Sequence, residues 1–276
     1  MRVSALFETL RWLTIVIFLI FTLFPLFWIL KTSFTPSGLL FSEGVRWWPS
    51  HATATHYADI WRWGSFKVYF ANSLLASLGA AVFATGLASL AAYGLSRWNF
   101  MGKGPVSVAL FVTQMFSLNL LIVPLTKLMS ALNLLDSLEG LIVVYVAANL
   151  PMAIFLMKSF YDSLPTELED AALLDGYGPL EISWRFVMPL ALPGIGTTLG
   201  FVFVEAWSEL FLCLTLLNTD SEKTVPAGLM ALSSKLGVDW GQVSAAGMIT
   251  LVPALMFFAA IQRFLVSGLT AGAVKG

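Results

Sequence analysis

Charge is scarce in this chain, and so are cysteine and histidine. Asp, Glu, Lys and Arg make up only 11% of the 276 residues, while 58% are hydrophobic. The 15 basic and 16 acidic side chains nearly cancel, to a formal net charge of −1. No basic cluster of the kind that tracks a phosphate backbone is present, so no nucleic-acid partner is expected. The single cysteine, Cys213, excludes an internal disulfide and reads as a small packing residue in an apolar run. The two histidines, His51 and His56, lie five apart with only Asp59 nearby, a poor zinc set, so no metal is expected and both read as polar loop residues. Neither G-x-x-x-x-G-K-[ST], G-x-S-x-G nor H-E-x-x-H occurs, and "FMGKGP" has neither the spacing nor the hydroxyl residue of a phosphate loop. The chain is therefore expected to carry no catalytic residue and no cofactor of its own.

Long apolar runs are what it has instead. Six carry few or no charges: Trp12–Leu30, Val68–Ser96, Gly104–Thr126, Gly140–Met157, Phe186–Thr219 and Trp240–Gln262. Each is near the ~20 residues that cross a ~30 Å hydrocarbon core as a helix. In lipid only helices and closed barrels satisfy the backbone, and continuous rather than alternating hydrophobicity points to helices. The expected fold is an all-α membrane protein. It is one transmembrane domain over residues 1–276, with spans at roughly 12–32, 68–96, 104–126, 139–160, 190–217 and 240–264. The first run is too long for a signal-peptide core, and "LKTSFTP" follows it rather than a small-residue cleavage site, so it is read as a retained span.

Charge bias does not orient these spans. With both termini on one side, that side carries eight Lys and Arg residues and the other carries seven, although the purely basic loop "RWNFMGK" favours termini inside. Pro25 should bend the first span. The "WWPSHATATHYADIWRWGSF" loop carries four tryptophans, as in an interfacial aromatic belt. Span 2 is dense in small residues, from Ser73 and Ala76 through Ala80, Ala84 and Ala88 to Ala92, which suits an interior helix. "LTKLMSALNLLDSLEG" reads as a short interfacial turn, and Asn149-Leu150-Pro151 as a break in span 4. In span 5, "VEAWSELF" places Glu205 and Glu209 four apart, on one helix face. A carboxylate at membrane depth is usually turned to a bundle interior or a wet cavity. Glu205, Trp207, Ser208 and Glu209 thus read either as the lining of a polar pathway, with the indole stacking on a sugar ring, or as interhelical hydrogen bonds or residues nearer the membrane interface. A long loop, "LNTDSEKTVPAGLMALSSKLGVDW", precedes span 6 and is suited to docking.

One segment is polar against this background. "SLPTELEDAALLDGYG" holds Glu167, Glu169, Asp170 and Asp175. Ser163 is placed to cap a helix, with Pro165 in its first turn. The early carboxylates suit the helix dipole, and Gly176 suits a left-handed stop. A second short helix is expected from Pro179 to Arg185, with Pro189 and Pro193 turning the chain into span 5. A solvated acidic loop has no need of such capping; a docking element does.

The spacing D-A-A-x3-G-x9-F-x-M-P, from Asp170 to Pro189, resembles the EAA signature of permease subunits in binding-protein-dependent ABC importers. "FANSLLAS", "AAYGLSRWNFMGKG", "EAWSELFLCLTLLN" and the ending "GLTAGAVKG" are similar to the smaller maltose-type sugar permeases. Ser208 stands where that branch usually has Asn. The resemblance implies that the segment is a cytoplasmic coupling helix between spans 4 and 5. Glu169, Asp170, Ala171, Ala172, Asp175 and Gly176 would dock on an ATPase, with Ala171 and Ala172 buried in its groove. It further implies two copies of a cytoplasmic ABC ATPase that hold ATP and Mg, a second permease forming a heterodimer, and an extracytoplasmic sugar-binding protein. The subunit would lie in the lipid of a bacterial-type cytoplasmic (inner) membrane with both termini cytoplasmic, moving a sugar, oligosaccharide or related polyol. A proton-coupled carrier would need titratable groups in several spans, and an intramembrane hydrolase would need a nucleophile and base at depth. A cysteine placed at Ser233 should be labelled from outside and one at Ser183 only from inside; reversed accessibility overturns this topology.

Overall fold

The computed structural model describes residues 2–42, 44–62, 64–234 and 238–273. Trp63, Lys235 and Lys275, and the side chains of Arg2, Ser233 and Arg263, lie outside the described residues. Among those described, the regular structure is helical: α1 (Arg2–Ser33), α2 (Thr55–Arg62), α3 (Gly64–Arg97), α4 (Lys103–Thr113), α5 (Ile122–Ala131), α6 (Leu138–Ser163), α7 (Glu167–Leu174), α8 (Pro179–Ile182), α9 (Met188–Leu190), α10 (Leu192–Ser208), α11 (Phe211–Leu216), α12 (Val225–Ser234) and α13 (Trp240–Ala273). Four helices are long and apolar enough to cross a membrane, and up to six spans result if each of two bent pairs counts as one.

The chain divides into two compact units, residues 1–67 with 228–252 and residues 68–227 with 253–276. In the first, α1 runs unbroken through Pro25. No residue of its most apolar stretch is buried, so that surface is left for lipid or another chain. The segment after α1 is tied back on itself. Ser33 Oγ lies 2.7 Å from the Tyr57 hydroxyl, His56 Nε2 lies 3.0 Å from the Thr35 carbonyl, and Thr53 N donates to the Phe34 carbonyl. His56 is thus a buried structural contact rather than a loop residue in solvent. Asp239 caps α13, accepting from Gly241 N at 3.0 Å and Gln242 N at 3.2 Å.

The second unit is built on small residues. Ala76, Ala80, Ala84, Ala88 and Ala92, four apart, form one buried stripe on α3. The opposite face, with Leu75, Val82, Phe83, Leu87 and Leu90, is exposed, so α3 is interior on one side only. α10 packs along α6, and Phe203 of α10 stacks on Phe257 of α13 with ring centroids 4.0 Å apart. Asp136 clasps the chain after α11: it accepts from Asn218 N at 2.7 Å, Thr219 N at 2.8 Å and the Thr219 hydroxyl at 2.5 Å. The Thr219 hydroxyl, then the backbone donors, hold its carboxyl below the usual carboxylate range, so the clasp is complete above that range and is lost as pH falls through the lowered value.

Three spans differ from their linear reading. The run expected as 104–126 is two pieces, Lys103–Thr113 and Leu118–Ala131, bent by 92°. Gln114 to Ser117 interrupts it, and Pro124, which lacks an N–H, fits the first turn of α5. The run expected as 190–217 ends its main helix at Ser208, and Glu209 is extended (φ −72°, ψ 125°) before α11 begins. The expected break at Asn149-Leu150-Pro151 does not occur: α6 is continuous through a buried Pro151. Asn149 Nδ2 donates to the Tyr145 carbonyl at 2.9 Å, and an unwound segment would leave more backbone groups without partners in lipid.

Two glycines of this unit make opposite forecasts. A Cβ on Gly140 would lie 2.0 Å from the Leu134 carbonyl oxygen, which is backbone, whereas on Gly200 it would meet the mobile tip of Ile261 at 1.9 Å. Gly140→Ala should therefore destabilise the protein by about 1–3 kcal/mol. Gly200→Ala should cost much less, as read from Tm in detergent; equal losses would contradict this packing.

Candidate functional site: a clamped surface helix and a polar cavity

α7 has eight residues, too few to persist alone in water. Its first turn carries Glu167, Glu169 and Asp170, which suits the dipole. Ser163, expected as its cap, is instead the last residue of α6, and its hydroxyl bonds the Phe160 carbonyl. α7 starts after Thr166, so Pro165 precedes it rather than sitting in its first turn. The far end closes as expected: Gly176 is left-handed (φ +87°), Gly176 N donates to Leu173 O at 3.0 Å and Tyr177 N to Ala172 O at 3.1 Å. The following helical stretch runs through a π turn at Ser183–Val187 to Leu190, past the expected end at Arg185. It meets α10 at 74°, at the two prolines.

A buried ion pair holds α7 in place. Arg97 Nε donates to Glu169 Oε1 at 2.5 Å, and the Tyr93 hydroxyl donates to Glu169 Oε2 at 2.9 Å. The Arg97 guanidinium also reaches the Leu164 carbonyl at 3.2 Å. The two side chains are only 9% and 13% exposed. Tyr161 of α6 extends the network, with its hydroxyl 2.6 Å from Ser89 Oγ and its ring edge-on to Tyr93.

This pinning decides which face α7 presents. Ala172 is 4% exposed, packed within its own chain, and Glu169 is occupied by Arg97 and Tyr93. Neither is free to enter another protein's groove. Ala171 and Ala172 therefore do not form one docking face, because consecutive helical residues point about 100° apart. Leu168, Asp170, Ala171, Leu173, Leu174, Asp175 and Gly176 are the exposed surface.

The second feature is a cavity of about 340 Å³ between α6, α10 and the ends of α4 and α11. Its polar lining is Gln114, Tyr145, Asn149, Glu205 and Glu209, with Phe201, Met152 and Leu118 among the apolar walls. Glu209 is not on the same helix as Glu205. It ends α10, and its Oε2 accepts from Leu212 N at 2.9 Å and Cys213 N at 3.4 Å, capping α11. The Tyr145 hydroxyl stands 3.5 Å from the same oxygen. Among the described residues the Glu205 carboxylate has no such partner and faces the cavity. Trp207 and Ser208 do not line it. Trp207 is 5% exposed, edge-on to Phe70 and stacked on Phe203. Two residues along a helix turn about 200°, so Glu205 and Trp207 cannot face one pathway. The Ser208 hydroxyl is bonded to the Val204 carbonyl at 2.9 Å.

Sequence reasoning did not place Gln114 and Tyr145 here. The signal for Gln114 was an amide inside an otherwise apolar run; Tyr145 and Asn149 lie four apart, on one face of α6. Cys213 is buried, and its sulfur accepts from Thr224 N.

Bent apolar helices around a polar cavity, with a pinned helix beyond the spans, define a multi-pass membrane protein of the transport class. The chain belongs to the family of binding-protein-dependent transport system inner membrane components, whose model matches residues 2–270. It is 39% identical over 262 residues to the inner membrane ABC transporter permease protein YcjP of Escherichia coli, covering 94% of each chain. It is 33% identical to the diacetylchitobiose uptake system permease protein DasC of Streptomyces coelicolor, covering 95% of each, and 34% identical to the trehalose transport system permease protein SugB of Mycobacterium tuberculosis, covering 93% of each. A crystal structure of a bacterial ABC transporter that imports the acidic polysaccharide alginate shares the fold, with a TM-score of 0.81 at 21% identity over 95% of this chain and 98% of that one. The protein is thus a non-enzymatic permease subunit of an ABC transporter.

The two carboxylates should separate on mutation. Glu209→Ala removes the α11 cap and should lower stability by about 1 kcal/mol, read as Tm in detergent. Glu205→Gln should leave Tm unchanged while altering transport by the assembled complex. Equal stability of the two variants, or unchanged transport in Glu205→Gln, contradicts these assignments.

Proposed function

We propose that this chain is one of two transmembrane subunits of an ATP-driven importer for a sugar, oligosaccharide or related polyol. The observation that carries the proposal is the pinned helix α7, with one face locked to its own chain and the other exposed. A helix built to transmit force must be rigidly joined to the spans and open to whatever drives it. Two cytoplasmic ABC ATPases, holding ATP and Mg, are the drivers. Their closure pushes α7, and the Arg97–Glu169 pair carries the displacement to α3 and, through Leu164, to α6. The spans then alternate between outward- and inward-open states, and the solute is moved without being changed.

The sugar assignment is supported by the uptake named for the trehalose and diacetylchitobiose relatives, and by the cavity. Carboxylates, amides and a phenol are the groups that hydrogen-bond a polyhydroxylated solute. The second permease is supported by the Phe7–Ser33 stretch, which buries none of its apolar window within this chain. An extracytoplasmic binding protein would deliver the solute; a structurally similar alginate transporter forms a complex with a periplasmic protein that holds an alginate pentasaccharide. Since ATP is cytoplasmic, α7 faces the cytoplasm; with six spans, both termini do too.

The docking face is tested at Ala171, which is exposed and strains nothing in its own chain. In a partner's groove, Ala171→Trp meets packed atoms at a cost of about 1–3 kcal/mol, similar to a typical allosteric coupling energy. Co-purified ATPase and transport in proteoliposomes should fall about tenfold, for ~1.4 kcal/mol of lost interaction, while Tm of the isolated subunit is unchanged. Asp170→Glu should be nearly silent. Normal docking and transport in Ala171→Trp would overturn the reading.

A further inference from the structure

The end of α1 holds a buried lysine without a counter-ion among the described residues. Lys31 lies in the last turn of α1, two residues before the end of the apolar stretch Phe7–Ser33. It is only 7% exposed. Its backbone carbonyl takes hydrogen bonds from Phe34 N and the Thr35 hydroxyl, so its position is fixed. Its ammonium stands 4.9 Å from the centre of the Trp28 ring. That contact eases the burial of a cation but does not neutralise it. The described carboxylates of the same unit are engaged elsewhere. Glu8 pairs with Arg11 and Asp59 with Arg62, each at 3.8 Å, while Asp239 caps α13 and accepts from Ser37 Oγ at 2.8 Å. An ammonium held this way calls for an anion.

The lysine opens on a cavity of about 730 Å³, within the ~300–1,000 Å³ range of small-molecule sites. Its walls are mostly apolar and aromatic, with Trp28, Phe41, Leu229, Trp240 and Val243, and carry two hydroxyl residues, Thr32 and Ser244. Tryptophan at the end of a span marks the depth of the lipid head groups. Lys31, the one cation among the described residues that line this apolar chamber, matches one chemistry: an anionic head on an apolar tail. A free anion would leave the apolar walls unused, and a neutral lipid would gain nothing from Lys31.

We propose that this cavity is a binding site for an anionic phospholipid, with the phosphate on Lys31 and the start of an acyl chain against Trp240 and Val243. It shares no lining residue with the 340 Å³ cavity at Glu205 and does not depend on the solute that is carried. The occupant ties the outer end of α1 to the lipid around it.

The test uses the assembled transporter in nanodiscs of phosphatidylcholine with a minority of phosphatidylglycerol, with bound lipid counted by mass spectrometry after brief delipidation. Wild type should retain phosphatidylglycerol above its bulk proportion. Lys31→Met keeps the bulk of the stem and removes the charge, and should cut that enrichment about fivefold or more. Val243→Trp fills the apolar chamber, keeps the charge and should cut it as well. Lys67→Met, on an exposed lysine, should not change it. Full enrichment in Lys31→Met overturns the proposal. So does displacement of the lipid by inorganic phosphate alone, which marks a free-anion site, or a cross-link placing a helix of the second permease in the cavity.

Discussion

The pair Arg97–Glu169 is the contact on which the rest of unit 68–227 turns. It joins the end of α3 to the start of α7, and through the Leu164 carbonyl it fixes the end of α6. An eight-residue helix is too short to persist alone, and this pair, with the burial of Ala172, holds it to the spans. The pair is nearly buried, so its net contribution to stability is small compared with the cost of losing one member, about 3–5 kcal/mol. What it supplies is register. It sets Ala172 inward and Ala171 outward, and so decides which side of α7 another protein can meet. In a chain with 11% charged residues, placing two of them face to face at the rim of a bundle is a specific arrangement.

The cavity depends on a second local device. α10 stops at Ser208, the backbone extends at Glu209, and α11 begins at Phe211. The break would leave the first N–H groups of α11 without partners in an apolar setting. The Glu209 carboxylate takes two of them, at Leu212 and Cys213. A single residue thus ends one helix and starts the next. Glu205, one turn earlier, is left as the carboxylate that faces open space. The two acids were alike in the linear reading; they are a cap and a lining group in the fold.

The unit of residues 1–67 and 228–252 follows another logic. Its fixed points are hydrogen bonds in the segment after α1, from Ser33, Thr35, Ser37, Thr53 and His56. They leave no space at Gly241, where a Cβ would lie 2.4 Å from His56 Nε2. A well-held loop beside an unburied apolar helix is what makes a fixed chamber there possible.

Which segments are apolar, that they are helical, that a short acidic helix lies between the fourth and fifth runs, and that Gly176 stops it are properties of the sequence by itself. Transfer free energy and cap chemistry are local, and the signature from Asp170 to Pro189 is a matter of spacing. The bends were another matter. Hydropathy adds up along the chain and has no direction, so a 92° turn after Thr113 and the stop at Ser208 left no trace in it, while Pro151 signalled a break that packing overrides. The inward turn of Trp207 follows from helix phase once Glu205 is known to face the cavity, but which of the two faces inward depends on Phe70 and Phe203. The partner of Glu169 lies 72 residues away in the chain, and the groups around Lys31 come from both ends of it. Only the tertiary structure brings such residues together, because charge pairing and cavity shape depend on distance in space rather than on distance along the chain.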